Sequence, residues 1–191
     1  MKKIFLVLIL FLGPTNILNA EVNRIVSGNK EAKITIIAYE SLTCSHCADF
    51  HKDIYPQLKK DYIDTGLVKI EFRHFPLDVA AFNASKISQC KIGKGLEILN
   101  SLYSNQQEWI RGNNIEEVNK NLEIFIKNQG FELDFEKCVN NKEIEDYVLN
   151  DRIEGMKKFK VNATPTIIIN DEKFEKTLNY KNLKKFLKKL I

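Results

Sequence analysis

Two segments of the chain carry hydrophobic patterns that are typical of β-strands. Residues 34–40 read ITIIAYE, apolar almost throughout and rich in β-branched side chains, which predicts a strand covered on both faces. Residues 67–75 alternate instead, with Val68, Ile70 and Phe72 on one face and charged residues on the other, which predicts a half-buried strand. His74 shares the apolar face and is expected to be a hydrogen-bonded core histidine, the alternative being a catalytic role.

The segment between these strands has the spacing of a helix. Its apolar stripe comprises Cys47, Phe50, His51, Ile54 and Leu58. Pro56 falls inside the segment and has no N–H to donate, so a kink is expected there. Strand, crossover helix and strand together predict a βαβ unit with parallel strands.

The chain from 79 to about 160 shows helical patterns and no strand pattern. Helices are predicted near 79–92, 96–110, 114–128 and 142–159. The third begins at Asn114, and Glu117 follows three residues later in the manner of a capping box.

The C-terminal segment returns to a strand pattern and ends in a helix. Pro165 leads an apolar run over 166–169, and proline is tolerated at the start of a strand. Residues 171–175 suit a turn and a short edge strand. The final helix has a lysine-rich face for solvent and an apolar stripe made by Tyr180, Leu183, Phe186, Leu187 and Leu190.

The first twenty residues have the pattern of an export signal. Lys2-Lys3 precedes an unbroken apolar run from Ile4 to Leu12, and Gly13-Pro14 ends it. As a helix this run rises only about 14 Å, far short of a bilayer core of about 30 Å. We predict a secretory signal peptide over 1–20, cleaved after Ala20; the alternative is an uncleaved membrane anchor.

Composition and charge narrow the class of partner. The chain has 191 residues and a formal net charge of +4, enough length for one domain with a core. Lysine supplies 25 of the 29 basic residues, so the capacity for bidentate phosphate binding is small. With no basic cluster either, a nucleic-acid partner is not expected.

The chemistry of the chain centres on Cys44 and Cys47, two of its four cysteines. A closed zinc site needs four ligands, and beyond this pair only His46 or His51 is close in sequence, so no metal is expected. Ala48 stands where a haem-attachment sequence needs histidine. A structural disulfide over so short a loop would stabilise little. A C-x-x-C beside a βαβ pattern therefore favours a redox-active dithiol that needs no cofactor.

The two cysteines should differ in reactivity. Cys44 falls at the N-terminus of the predicted helix, where free N–H groups and the helix dipole stabilise a thiolate, and His46 would add to this. Such cysteines titrate about 1–5 units below the free value of about 8.5, and a stable thiolate makes the disulfide an oxidant. Cys47 begins the buried stripe. We therefore predict that Cys44 attacks and is attacked, and that Cys47 resolves the mixed disulfide.

Four motifs give the chain a resemblance to a known family. They are YESLTCSHC (39–47), EFRHFPL (71–77), LYSNQQEW (102–109) and VNATPT (161–166). Together they resemble the DsbA-type thiol:disulfide oxidoreductases of the thioredoxin superfamily. The resemblance implies an α/β thioredoxin fold, a mixed central sheet flanked by helices, formed by 21–78 and 151–191. An all-helical insertion over 79–150 would interrupt it.

The resemblance also implies particular site residues. The cis proline that faces the active-site dithiol maps onto Pro165, and Thr164 precedes it; both are expected to tune the redox chemistry. Cys90 and Cys138 fit the second disulfide that some members carry in the insertion, the alternative being a reactive regulatory pair.

Three positions depart from the family pattern. Ser45 stands where the best-known oxidases have proline, and Thr164 is commoner in the isomerase branch. Many members have a buried acid six residues before the first cysteine, where this chain has Ala38. Glu40 lies on the same strand face and is the candidate replacement.

The predicted function is that of an exported, monomeric thiol:disulfide oxidoreductase in the periplasm. It would donate its disulfide to unfolded or reduced exported polypeptides and be reoxidised by a quinone-linked membrane protein similar to DsbB. The alternative is a disulfide isomerase or reductase of the same superfamily, although few residues precede the first core strand to form an isomerase's dimerisation domain. A binding protein with an idle fold would commonly have lost one motif cysteine, and this chain keeps both.

Overall fold

The computed structural model describes residues 22–191 as a central mixed sheet with helices on both faces; the predicted signal peptide over 1–20 lies outside the described residues. The strands in this part of the chain are β1 (Ile25–Ser27), β2 (Ile34–Glu40), β3 (Val68–His74), β4 (Thr166–Ile169) and β5 (Glu172–Lys173). Their spatial order is β1-β3-β2-β4-β5. β2 and β3 are parallel, and the other neighbours are antiparallel. This sheet confirms the predicted α/β class and the βαβ unit.

The helices follow the predicted order with two additions. They are α1 (Ser45–Asp49), α2 (Tyr55–Leu58), α3 (Val79–Gln89), α4 (Gly95–Ser104), α5 (Gln106–Trp109), α6 (Ile115–Asn128), α7 (Phe135–Val139), α8 (Lys142–Phe159) and α9 (Tyr180–Leu187). The helix predicted over 96–110 is divided at Asn105, and α7 was not predicted. The stripe predicted for the last helix was wrong at Leu190, which lies beyond the end of α9 and is 43% exposed.

The helix that follows the motif changes its hydrogen-bond pattern around Pro56. α1 leads into a π-helical turn over Phe50–Ile54, and a second one over Lys59–Ile63 follows α2. Pro56 sits at the first turn of α2, where its missing N–H is not needed by an α-helical ladder. The irregularity expected from the proline therefore takes the form of a π-helical turn just before it.

The core has two layers because β2 alternates between the two faces of the sheet. Ile36 and Ala38 pack toward the motif helix and the insertion. Ile37 and Tyr39 face α8 in a smaller cluster with Phe159. Gly155 allows α8 to approach this closely, because a Cβ there would lie 2.8 Å from the Tyr39 ring.

A buried polar cluster joins the residue before β1 to β3, α3 and α8. Asp151 is 2% exposed; it pairs with Arg24 and accepts the backbone N–H of His74 at 3.1 Å. His74 is itself buried, and its Nε2 lies 2.9 Å from Gln89 Nε2. Burial lowers the pKa of His74 to about 3, so the ring is neutral in the fold. The expectation of a hydrogen-bonded core histidine is confirmed.

The helical segment over 79–150 contains a disulfide between Cys90 and Cys138. It links the C-terminal end of α3 to α7, and the Cα atoms lie 5.5 Å apart. This is the pairing that the family resemblance implied. Helix α8 runs through the predicted boundary at residue 150, so a continuous helix connects the helical region to the rest of the fold.

Candidate functional site: a dithiol at a helix N-terminus

The C-x-x-C motif lies at the junction between β2 and α1. Cys44 is the N-cap residue of α1, with φ −79° and ψ 120°, and its carbonyl accepts the N–H of Cys47 at 3.1 Å. Both cysteines are free thiols; Cys44 is partly exposed and Cys47 is fully buried. Cys47 is shielded, as its place at the start of the apolar stripe predicted.

The surroundings drive the two sulfurs to opposite protonation states. A hydrogen bond from the Cys47 side chain, then the Thr164 side chain and the backbone N–H groups of Cys47 and His46, lower the pKa of Cys44 to about 5, although burial acts against this. Burial raises the pKa of Cys47 far above its ordinary value, and the hydrogen bond to Cys44 and the charge of Glu40 act in the same direction. At neutral pH the pair therefore holds one thiolate and one thiol.

The loop before β4 faces the exposed sulfur. The peptide bond between Thr164 and Pro165 is cis, as the resemblance implied. Cys44 Sγ, when protonated, donates to the carbonyl oxygen of Thr164 at 3.3 Å. The Thr164 hydroxyl has no hydrogen-bond partner among the described residues, although it is one of the groups that lower the pKa of Cys44. The protonated thiol therefore donates to a backbone carbonyl of this loop, whereas the Thr164 hydroxyl acts on the ionised sulfur and lowers its pKa.

His46 lies in the motif but turns its ring outward. Its side chain is 81% exposed, and Nδ1 lies 3.7 Å from an Asp49 carboxylate oxygen. The part of His46 that lowers the pKa of Cys44 is its backbone N–H. A redox-tuning role for the imidazole stays a prediction.

A buried acid–histidine pair lies behind Cys47. Glu40, 3% exposed, has a carboxylate oxygen 2.8 Å from His51 Nε2. Tyr103 stacks on the His51 ring, with centroids 4.1 Å apart. Burial raises the pKa of Glu40, and the neighbouring His51 opposes that rise. Glu40 thus lies where the sequence placed a candidate buried acid.

Sequence reasoning missed His51 as the partner of Glu40, because its helical spacing indicated a packing residue. A signal was present: His51 is a polar residue on an otherwise apolar stripe, and Glu40 ends an otherwise apolar strand. Two isolated polar groups directed at one core are expected to meet, since each is costly to bury alone.

Two residues far along the chain, Asp78 and Gln106, hold the loop that carries Cys44. Thr43 donates its hydroxyl to Asp78 at 2.6 Å, and the same carboxylate caps the first turn of α3. Gln106 donates its amide to the carbonyl oxygens of Leu42 at 2.7 Å and of Cys44 at 3.2 Å. These contacts are long-range in sequence, and no local pattern marked them.

Two further features of the described chain bear on function. From Val22 onward, no group of three or more histidine, cysteine or acidic side chains is placed to hold a metal ion. Over the same residues, no helix combines the length and the apolar character that a membrane crossing requires.

Comparisons of the sequence find a matching family model and named relatives. A family model described as thioredoxin matches residues 20–189. Disulfide bond formation protein D of Bacillus subtilis is 25% identical over 174 residues, covering 86% of this chain and 75% of that protein. A Rickettsia typhi protein, provisionally named a protein-disulfide oxidoreductase, is 28% identical over 150 residues. That match covers 78% of this chain but 55% of the rickettsial protein, so the chain spans about half the length of that relative.

Solved structures show the same architecture. The crystal structure of α-DsbA1 from Wolbachia pipientis is 30% identical, with a TM-score of 0.78, and the match covers 88% of this chain and 90% of that one. Oxidised BdbD from Bacillus subtilis has a TM-score of 0.71 at 24% identity, covering 87% and 91% of the two chains. From the motif and its geometry, the family model and the α-DsbA1 structure, the chain belongs to the thioredoxin family, within its DsbA-type thiol:disulfide oxidoreductases.

Proposed function

We propose that this chain is an exported oxidant of protein thiols, which gives the Cys44–Cys47 disulfide to reduced polypeptides. The observation that carries the proposal is the contrast between the two sulfurs. Cys44 is partly exposed and has a pKa lowered to about 5, whereas the pKa of the buried Cys47 is raised. A fold that stabilises the thiolate stabilises the reduced dithiol, and its disulfide is therefore a good acceptor of electrons.

Each turnover moves two electrons from substrate to enzyme. A substrate thiolate attacks Cys44 Sγ of the enzyme disulfide, forming a mixed disulfide, and Cys47 leaves and takes up a proton. A second substrate thiolate then attacks the substrate sulfur of the mixed disulfide, and Cys44 leaves as a thiolate. Two substrate thiols become one disulfide, the enzyme disulfide becomes a thiolate and a thiol, and one proton is released. Of the two motif sulfurs, Cys44 is the accessible one, which supports this order of attack.

The setting of this chemistry is also part of the proposal. A cleaved signal peptide over 1–20 would carry the chain to the periplasm, where disulfides persist. A quinone-linked membrane protein similar to DsbB would accept the electrons and restore the disulfide. The enzyme would act as a monomer, with a thioredoxin-like part over 21–78 and 151–191 and a helical insertion over 79–150.

An isomerase or reductase is the second candidate, and the observation that favours it is Thr164. Threonine before the cis proline is commoner in the isomerase branch of the family that the chain resembles, and the Thr164 carbonyl accepts from the Cys44 thiol. The redox equilibrium of the dithiol with glutathione separates the candidates. An oxidase gives up its disulfide at glutathione ratios where a reductase keeps it.

Single-cysteine variants test the proposed exchange. Oxidised enzyme should convert a reduced test protein to its disulfide form, and Cys44→Ser should abolish this. With a substrate that already holds a disulfide, the Cys44 thiolate of Cys47→Ser should attack one sulfur and release the other as a thiolate, and the mixed disulfide should accumulate because Cys47 is no longer there to attack Cys44 and release the substrate. The double variant Cys90→Ser/Cys138→Ser is the control and should retain exchange. Trapping by Cys44→Ser in place of Cys47→Ser would reverse the assignment, and exchange by both single variants would refute the mechanism.

A further inference from the structure

A groove beside the cis proline adjoins the catalytic sulfur. Its volume is about 550 Å³, within the range of ligand-binding clefts. One wall is the motif helix, from His46 to Gln57, and the other is the chain before α9 together with Thr164 and Pro165. Thr164 also contacts Cys44, so a polypeptide bound at that sulfur has this groove directly beside it.

The groove combines an apolar floor with acidic side chains. Phe50, Ile54 and Leu178 line it together with Pro165. Asp49 and Asp53 line the same groove and lie four residues apart on one helical segment, so they share a face. Its walls contain no lysine or arginine.

Within residues 22–191, few positive groups or hydrogen-bond donors contact the two carboxylates. Asp49 is paired only with His46, at 3.7 Å, and its side chain is 67% exposed. The Asp53 carboxylate makes no hydrogen bond or ion pair with any of residues 22–191. The whole chain has a net charge of +4, so this groove is locally opposite in sign to the protein.

We infer that this groove selects substrate segments in which a lysine or arginine lies close to the reacting cysteine. The inference rests on the proposed function and names the substrate class of the same site. Lysine and arginine suit both parts of the groove, because their methylene stems pack on apolar surface while their charged ends reach carboxylates. A glutamate at the same position would meet Asp49 and Asp53 with like charge and be disfavoured.

The test uses the oxidised mature protein and a set of dithiol peptides that close an intramolecular disulfide. The peptides differ at one position, which carries lysine, glutamine or glutamate and is scanned along both sides of the first cysteine. The measured quantity is the ratio of kcat/KM for the lysine peptide to that for the glutamate peptide. Changing Asp49 also alters the field at Cys44, but this acts on both peptides and cancels in the ratio.

Exposed ion pairs are weak, so we expect a ratio of about 3 to 10 at low salt, falling as salt screens the charges. Asp49→Asn/Asp53→Asn should bring the ratio close to one. The control Glu123→Gln/Glu132→Gln removes the same charge from exposed positions outside the groove and should leave the ratio unchanged.

The outcomes separate this inference from the proposed function. If the peptides are oxidised at equal rates, or if the preference for lysine survives Asp49→Asn/Asp53→Asn, the groove does not select by charge and the inference falls alone. If wild-type protein oxidises none of the peptides, the proposed function fails and the inference fails with it.

Discussion

The titration of Cys44 should couple the stability of the reduced protein to pH. Its pKa is lowered to about 5 in the fold, against about 8.5 in an unfolded chain. Because the folded value is the lower one, the stabilisation is fully present above the unfolded pKa. It is lost as pH falls through the folded pKa. The reduced protein should therefore gain stability from about pH 5 to about pH 8.5, relative to a variant that lacks this thiol.

The size of this effect follows from the two pKa values. At about pH 7 a shift from about 8.5 to about 5 corresponds to at most ~2.7 kcal/mol of unfolding free energy. Cys44 is partly exposed, and solvent screening reduces what such a shift contributes. We therefore expect about 1–2 kcal/mol at neutral pH.

Denaturant unfolding of reduced wild-type protein and reduced Cys44→Ser, repeated across this pH range, measures the effect. Titrations common to both proteins, such as that of Asp151, cancel in the difference. Cys47→Ala gives a second test, because it removes the hydrogen bond that contributes most to lowering the pKa of Cys44, so the gain in stability should begin at a higher pH than in the wild type. A difference between wild type and Cys44→Ser that stays flat from pH 4 to pH 8 would refute the reasoning. A stability difference that rises only around the ordinary cysteine pKa of about 8.5 would also refute it.

Three further predictions concern stability and redox balance. Replacing Cys90 and Cys138 by serine should lower the unfolding free energy by about 4 kcal/mol in the loop-entropy model, as read from denaturant midpoints of the oxidised protein; an unchanged midpoint would contradict this. Gly155→Ala should cost about 1–3 kcal/mol, because the added methyl group would overlap the Tyr39 ring, and a thermal melt would show no loss if the helix could move away freely. Glu40→Gln removes a buried negative charge near both motif sulfurs, so the pKa of the active-site thiolate should fall and the glutathione equilibrium should shift toward the dithiol; a rise in that pKa would count against the charge argument.

The sequence predicted the elements whose signals are local. Residues 34–40 and 166–169 form strands at the predicted bounds. A short, unbroken apolar run bounded by polar residues or proline is typical of a buried strand. The capping box at Asn114 forms in part: its side chain accepts the N–H of Glu117, but Glu117 accepts from Asn113 and not from the backbone of Asn114. The position and chemistry of the two motif cysteines were also predictable, since they depend on a strand end and a helix start.

Features fixed by distant contacts left no local signal. β1 has three residues and exists because it pairs with β3, Ile25 opposite Phe72, far along the chain. α7 has five residues, too few for a periodic pattern. The partnership of Glu40 and His51 and the bracing by Asp78 depend on how a strand, a helix and the insertion pack together. Such packing is a property of the whole fold.

The carboxylate of Asp78 ties the loop of the catalytic sulfur to the start of α3, which limits how that loop can be moved to another protein. One of its oxygens holds Thr43, the neighbour of the catalytic sulfur, and the other accepts the N–H of Ala81 at the start of the helical insertion. Gln106 reaches the same loop from a later helix. The reactive loop is therefore anchored to two helices, α3 and α5, that lie far from it in sequence. Grafting residues 41–47 alone onto another scaffold would transfer the thiols without these anchors, and a tilt of α3 in the native protein would move the neighbour of the nucleophile with it.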